Sequence, residues 1–267
     1  MKRYLVQCLL ILWPALALAQ YDYNDDFTKA IDAHYPPLVR LLITKGAKQN
    51  TQDARGDTPL MLAIRSRDSE LSHLLMQYQP NLLLQNVHHH SAAIEAVLAD
   101  DADMLSSTLD RSDMLQVAQA AALSRKLDKR RSYDKLAEIL GAPGMQEISE
   151  FALSDIGRYV EVGNEVSLPY SPGTSLPPLC GTKDTVFLFQ GRICKKEGDQ
   201  VQVEWRSVSN LQNNDRRCSP QHHFALERSS DDLRNKTYLG SCGVAPTAFG
   251  ALPASYDYRR FLPPELQ

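Results

Sequence analysis

The clearest structural signal in this 267-residue chain lies in residues 56–64, whose sequence is GDTPLMLAI. A shift of 33 residues carries Ala63 onto Ala96 in one direction and onto Ala30 in the other. The same shift carries Thr58 onto Ser91. Each unit of a short repeat buries its apolar face against the next unit, so this period predicts a stack of similar supersecondary units.

The residues of the clearest copy predict two helices per unit. Thr58 is suited to cap a helix, and Pro59 fits the first helical turn, where its missing N–H costs nothing. Leu71, Leu74 and Leu75 follow at the i, i+3, i+4 spacing of an amphipathic second helix. Weaker copies precede and follow, and a shortened helix pair is predicted over residues 114–142.

This pattern resembles the ankyrin repeat, in which Gly-x-Thr-Pro-Leu-His-x-Ala opens the first helix. The matching residues are Gly56, Thr58, Pro59, Leu60 and Ala63. Met61 stands in place of the family's usual His, and Arg67 stands where a Gly often follows the first helix. The resemblance covers about residues 21–141 and implies binding to another protein.

The resemblance also implies where a partner would bind, because ankyrin-like stacks contact partners through hairpin tips and the exposed face of the first helices. Aromatic and Arg side chains contribute much of the energy at such surfaces. An ordinary solvated edge is the alternative interpretation of the same residues. The predicted contact residues are Tyr21, Asp22, Asp32, Arg55, Asp57, Arg65, Ser66, His88 and His90.

The run His88-His89-His90 suggests a metal site or a pH-sensitive group. Consecutive residues rarely converge on one ion without other ligands, and the sequence supplies no fixed acidic neighbour. We therefore predict a tip-loop cluster without a metal, and no cofactor anywhere in the chain.

The first residues have the three zones of a secretory signal peptide. Lys2 and Arg3 are basic, residues 5–16 are apolar, and residues 17–19 read Ala-Leu-Ala, a small-x-small cleavage site. The apolar run is short for a membrane span, so cleavage before Gln20 is favoured over an uncleaved anchor. We expect a periplasmic or secreted protein with no membrane insertion after cleavage.

The charge balance argues against nucleic acid as a partner. The full chain has 29 basic and 32 acidic residues, and loss of Lys2 and Arg3 would leave 27 against 32. No basic face is evident to neutralise phosphates.

Four cysteines remain beyond the predicted signal peptide, at Cys180, Cys194, Cys218 and Cys242. An even number confined to one region of an exported protein predicts two disulfides, with three possible pairings. A zinc site is the alternative, although no pair has the tight Cys-x-x-Cys spacing that such sites favour.

The C-terminal region has the pattern of short strands. Residues 184–189 predict one strand, the alternation of Val201, Val203 and Trp205 predicts another, and residues 195–199 predict the turn between them. The tail at residues 254–267 either straps this domain or hangs free. The predicted fold is a mainly α ankyrin-like stack at residues 20–142, a helical and Pro-rich connector at 143–179, and a small disulfide-stapled β-rich domain at 180–267.

No common catalytic motif is present, so we expect a non-enzymatic interaction module. An immunity-type inhibitor of a toxin and a helper of an envelope enzyme are two concrete versions. The alternative is a hydrolase or carbohydrate-binding domain within residues 180–250, localised by the repeats. A pocket lined by Trp205, His222 and acidic residues would support that alternative.

Overall fold

The computed structural model describes residues 23–110, 112–171, 186–211, 242 and 252–267. The chain divides into two compact units between Lys48 and Gln49. Several sequence predictions lie outside the described residues: the signal peptide at 1–19, Tyr21, Asp22, Cys180, Cys218 and His222.

The first unit contains the degenerate first repeat. Helices α1 (Asn24–Asp32) and α2 (Pro36–Thr44) pack against each other. Their facing sides bury five apolar side chains, so even this weak copy forms a helix pair with an apolar interior. These residues are Phe27, Ala30, Ile31, Val39 and Leu42.

The second unit opens with the two better copies of the repeat. The helices are α3 (Pro59–Arg65), α4 (Ser69–Gln77), α5 (Ala92–Ala99) and α6 (Ala102–Leu109). The first helix of each pair is capped as the sequence predicts: Thr58 Oγ1 accepts a hydrogen bond from the Met61 N–H at 3.3 Å. Ser91, one period later, accepts from the Ile94 N–H at 3.5 Å.

Three further helices extend the stack beyond the periodic region. Helices α7 (Met114–Lys126) and α8 (Arg130–Leu140) form the pair predicted over residues 114–142, and α9 (Ala142–Asp155) follows. Helix α7 packs on α5, α8 and α9, which places it at the centre of this group. The described residues contain nine α-helices, and none is long and apolar enough to span a membrane.

The 33-residue period is also present in the backbone conformation. His34, Arg67 and Asp100, each one period apart, all have positive φ, at 50°, 57° and 55°. Gly56 and His89 form a second such pair, with φ of 76° and 60°. A left-handed backbone favours Gly, so the repeat imposes this conformation on residues that do not prefer it.

The described residues of the β-rich part form a four-stranded antiparallel sheet in the order β1-β2-β3-β4. Its strands are β1 (Glu165–Tyr170), β2 (Phe187–Glu197), β3 (Gln200–Asn210) and β4 (Tyr256–Asp257). The predicted hairpin turn between β2 and β3 is present at Gly198 and Asp199, with Gly198 at φ 59°, whereas residues 195–197, which were predicted as part of the turn, belong to β2. Strand β1 was not predicted, because Pro169 within it reads as turn-forming; as an edge strand it tolerates Pro.

Two bulges modify the long β2–β3 hairpin. Gln190 pairs with Ser207 and Gly191 with Trp205, so Arg206 is the extra residue of β3. Cys194 is the extra residue of β2, and it forms a disulfide with Cys242. A bulge turns a side chain away from the regular alternation of a strand. Here Arg206 forms ion pairs with Glu165 and Glu204, and Cys194 forms the disulfide.

The sheet buries its inner face against α7 and α9. Trp205 is at the centre of this core, with edge-on ring contacts to Phe189 and Tyr256. Phe261 also packs on Trp205, with ring centroids 6.4 Å apart. The C-terminal segment Leu252–Gln267, which we name the strap, therefore completes the core and does not hang free.

Candidate interaction site at the repeat tips

The tips of the second and third repeats, residues 53–57 and 86–90, are built in the same way. Asp53 Oδ1 accepts hydrogen bonds from the backbone N–H groups two and four residues later, both at 2.8 Å. Asn86 Oδ1 does the same one period on, at 2.9 and 3.0 Å. These Asx-type turns hold the backbone of each tip through the side-chain oxygen of its first residue.

The two tips lie side by side. The Val87 N–H donates to the Arg55 carbonyl at 3.0 Å, which brings the exposed residues Arg55 and His88 onto neighbouring tips. This adjacency gives the second unit a continuous surface formed by both tips.

A buried ionic network connects the tips to the first helices. The Arg65 guanidinium donates to Asp57 Oδ2 at 2.6 Å and Oδ1 at 2.8 Å. It also donates to Glu95 Oε1 at 2.6 Å and Oε2 at 3.1 Å. The Asp57 side chain is fully buried and the Glu95 side chain is 3 % exposed, so one guanidinium neutralises two desolvated carboxylates.

His90 extends this network toward the strap. Its Nδ1 lies 3.1 Å from Glu95 Oε1, and its Nε2 lies 3.1 Å from Glu265 Oε2. Asn86 closes the network by donating from Nδ2 to Asp57 Oδ1 at 2.7 Å. The network thus joins both repeats and the strap.

The charges in this network reinforce each other. Burial opposes ionisation of Asp57 and Glu95, but hydrogen bonds from Arg65 and from Asn86 or His90 outweigh it and lower both pKa values. Hydrogen bonds to the same two carboxylates raise the pKa of Arg65. Burial also disfavours the imidazolium of His90, yet Glu95 and Glu265 raise its pKa above the usual 6.5.

The predicted contact residues divide by exposure. Asp32, Arg55, Ser66 and His88 are exposed. Asp57 and His90 are buried, because the network binds their polar atoms, so in this conformation they do not reach a partner directly. Arg65 is 35 % exposed, but both of its edges are engaged by carboxylates.

The tips are also covered by the chain's own sheet. A Cβ built on Gly56 would lie 3.1 Å from Leu188 Cδ2 of β2. Gln52 accepts a hydrogen bond from Gln190 at 2.8 Å, and Gln85 accepts one from Ser167 at 3.1 Å. A surface that ankyrin-like repeats commonly offer to partners is therefore partly occupied by the β-rich part.

His89 is the buried neighbour of His90, and its surroundings lower its pKa whereas those of His90 raise it. It is 8 % exposed, and burial together with the neighbouring histidines lowers its pKa to about 4. Its Nδ1 lies 3.5 Å from Ser167 Oγ of β1. A neutral His89 therefore contributes to the contact between the third tip and the sheet.

A groove of about 540 Å³ lies between the chain before the third tip and the sheet. Arg206, at the β3 bulge, bridges Glu165 at 3.3 Å and Glu204 at 3.2 Å on one side of this groove. Burial raises the pKa of Glu165, although Arg206 opposes that effect. Gln85 and Gln190 complete the polar lining.

Two further sites considered from the sequence were a ligand pocket at Trp205 and a metal site. Trp205 is 1 % exposed and packs inside the core, so its ring offers no surface to a ligand. Within the described residues, no group of three or more His, Cys, Asp or Glu side chains is arranged to hold a metal ion.

Sequence reasoning missed Asn86, Glu95 and Glu265, which complete the network. Asn86 had a detectable signal, since it lies one period after Asp53, the other tip-forming residue. Glu95 occupies an otherwise apolar helix and lies 170 residues from Glu265, so no local pattern connects them.

Comparison with known proteins agrees with the repeat geometry. No curated protein matches this chain. Residues 27–112 match the family model for ankyrin repeats in three copies, a kind of repeat that generally mediates binding to other proteins.

Proposed function

We propose that the protein is an exported interaction module, periplasmic or secreted, that binds a protein partner through the exposed residues of its repeat tips and first helices. The observation that carries this proposal is the pairing of exposed Arg55 and His88 on adjacent tips with the buried network beneath them. A rigid base lowers the entropy that exposed side chains lose on binding.

Export is supported by the disulfide between Cys194 and Cys242. Disulfides form and persist in oxidising compartments and are rare in the cytosol of most organisms. The predicted signal peptide agrees with this localisation. An immunity-type inhibitor and a helper of an envelope enzyme remain the two concrete forms of the proposal.

A non-catalytic role is part of the same proposal. The buried polar side chains of the tips bind one another in a closed network, and Trp205 is a core residue. These observations favour a structural use of the polar residues over a catalytic one.

The test is recovery of a partner from the native envelope with tagged protein. Arg55→Glu/His88→Glu should reduce recovery of a stoichiometric partner by about tenfold or more, because it reverses or adds charge on both tips. Arg65 is unsuitable for this purpose, since its loss would leave two buried carboxylates unpaired.

The matched control is Arg158→Glu/His73→Glu. Arg158 is as exposed as Arg55, at 57 % against 59 %, and His73 is exposed on α4, away from the tips. Equal recovery by both double variants and the unmodified protein would sink the assignment of the binding surface to the tips.

The groove favours one second candidate, binding of a small polar ligand such as a carbohydrate by the β-rich part, with or without hydrolysis. Its lining offers amide, carboxylate and guanidinium groups from Gln190, Glu165 and Arg206. Ligand-observed NMR with a panel of soluble glycans tests it. Binding that Gln190→Ala weakens would support the candidate, and no binding at millimolar glycan would reject it.

A further inference from the structure

Beyond its buried core residues, the end of the strap meets the third repeat through one polar contact, between Glu265 and His90. Its aromatic residues Tyr256 and Phe261 are buried in the sheet core. Beyond them, Glu265 reaches His90 through its side chain, while its carbonyl accepts a hydrogen bond from Lys126 of α7. The last turn, Pro264–Leu266, is therefore held by these polar contacts together with the half-buried side chain of Leu266.

The geometry at His90 requires a particular protonation state. Both ring nitrogens lie 3.1 Å from carboxylate oxygens, of Glu95 on one side and Glu265 on the other. A neutral imidazole has only one N–H to donate, so one nitrogen lone pair would then face a carboxylate oxygen. Only the imidazolium donates to both.

We propose that His90 is a proton-controlled latch: the imidazolium holds the end of the strap, residues 264–267, on the third tip through Glu265, and loss of its proton releases them. This inference concerns an intramolecular contact and does not depend on the proposed partner.

The side chains of Glu95 and Glu265 differ in solvent exposure and in their other partners, and this difference determines which contact with His90 breaks. The Glu95 side chain is 3 % exposed and also bound by Arg65, so it keeps the remaining ring N–H. Glu265 is 29 % exposed and can turn into water when Nε2 loses its proton. Release therefore occurs on the strap side of His90.

The surrounding charges favour the closed latch when His90 is protonated. On the repeat side, the Arg65 guanidinium binds both Glu95 and Asp57. Arg55 forms an ion pair with Asp57 at 3.2 Å. The ring centroids of His88 and His90 lie 5.9 Å apart, and the adjacent His89 is buried. From α7, Lys126 donates a hydrogen bond to the Glu265 carbonyl. Arg260 of the strap acts electrostatically on His89.

The direction of titration agrees with this geometry. Burial alone would lower the pKa of His90, but its hydrogen bonds and attraction to Glu95 and Glu265 raise it above 6.5. The latch is therefore closed in acid and opens as the pH rises through the raised value.

The test combines an imidazole NMR titration of the full chain with hydrogen–deuterium exchange between pH 5.5 and 9, corrected for intrinsic rates. We expect a His90 pKa above 6.5 and a loss of protection in residues 264–267 of about tenfold through that pKa. Glu265→Gln should lower the His90 pKa and reduce strap protection at pH 6. His88→Gln, at the exposed neighbour, should change neither.

Three outcomes would overturn the latch. These are strap protection that is constant from pH 5.5 to 9, a His90 pKa below 6.5, or an unchanged pH-dependent loss in His90→Gln. Glu265→Gln preserves the test if His90→Gln fails to fold, because it alters only a part-exposed side chain outside the repeats.

Discussion

The tips of the second and third repeats have nearly the same backbone and different chemistry. Position 57 in one is position 90 in the other, and both side chains are buried in the same ionic network. Asp57 is a fixed charge paired with Arg65 inside the repeats. His90 is a titratable group that reaches 175 residues along the chain to Glu265. A repeat can therefore conserve its scaffold while one substituted position acquires a long-range contact.

The largest expected effect comes from removing the charge that both tips share. Arg65→Ala leaves the buried Asp57 and Glu95 without their common partner, and we expect a loss of unfolding free energy of about 2–4 kcal/mol, reduced by Arg65's partial exposure. Chemical denaturation measures it. Asp68→Ala, which removes the side-chain cap at Leu71, is the control and should cost about 1 kcal/mol.

The second prediction separates the close packing at the second tip from the cost of a positive φ. Gly56→Ala should destabilise by about 1–3 kcal/mol, because its Cβ would lie 3.1 Å from the Asn86 Cα as well as from Leu188, at a φ that Ala disfavours. Gly46→Ala has positive φ but nothing within 4 Å, so it isolates the backbone cost. Equal losses for the two variants would mean that the close approach of the tips contributes nothing.

The third prediction separates the two adjacent histidines by pH. His89 has a pKa lowered from 6.5 to about 4 in the folded state, so its contribution to stability is present above pH 6.5 and lost as the pH falls toward 4. His90 has a pKa above 6.5 in the folded state. Its contribution to stability is therefore present below pH 6.5 and lost as the pH rises through the raised folded pKa.

Denaturation midpoints across pH 4–9 measure both effects. His89→Asn, which tolerates the left-handed backbone, should flatten the loss on the acid side, whereas His90→Gln should flatten the loss on the alkaline side. If both variants changed the same side of the profile, the opposite environments of the two rings would be refuted.

The smallest expected effect concerns a left-handed backbone position that recurs in the repeats at His34, Arg67 and Asp100. Arg67 is exposed and adopts φ 57° where the ankyrin pattern often has Gly, so Arg67→Gly should raise the unfolding free energy by about 0.5–1 kcal/mol. Thermal unfolding detects this change. Arg125→Gly, in the last turn of α7, is the opposite control and should destabilise by about 1 kcal/mol, because it places Gly in a helix and removes the contacts to Ser149 and Glu150.

Much of the repeat architecture was predictable because its signals are local. Thr58, Pro59 and Ala63 specify a capped helix, and the period transfers that assignment to neighbouring units. The β2–β3 hairpin was predictable for the same reason, from the alternation around Trp205 and the turn at Gly198. Strand β1 escaped prediction because an edge strand with Pro has no distinctive local pattern.

The candidate site was predictable only as a region. The period placed Arg55, Asp57 and His90 on tips, but exposure depends on what packs against a tip, and sequence spacing carries no information about that. Burial of Asp57 and His90 follows from the sheet, Arg65 and the strap meeting at one place. Glu265 joins the network because the core packing of Phe261 carries the strap across the sheet to the third tip.

Helix positions, caps and the repeat period thus follow from short-range sequence, because each rests on contacts within a few residues or between like units. The division of the tip residues into a buried ionic network and an exposed surface arises only from tertiary contacts. Those contacts desolvate some charges and leave others in water, and that difference determines which residues hold the fold and which are available to a partner.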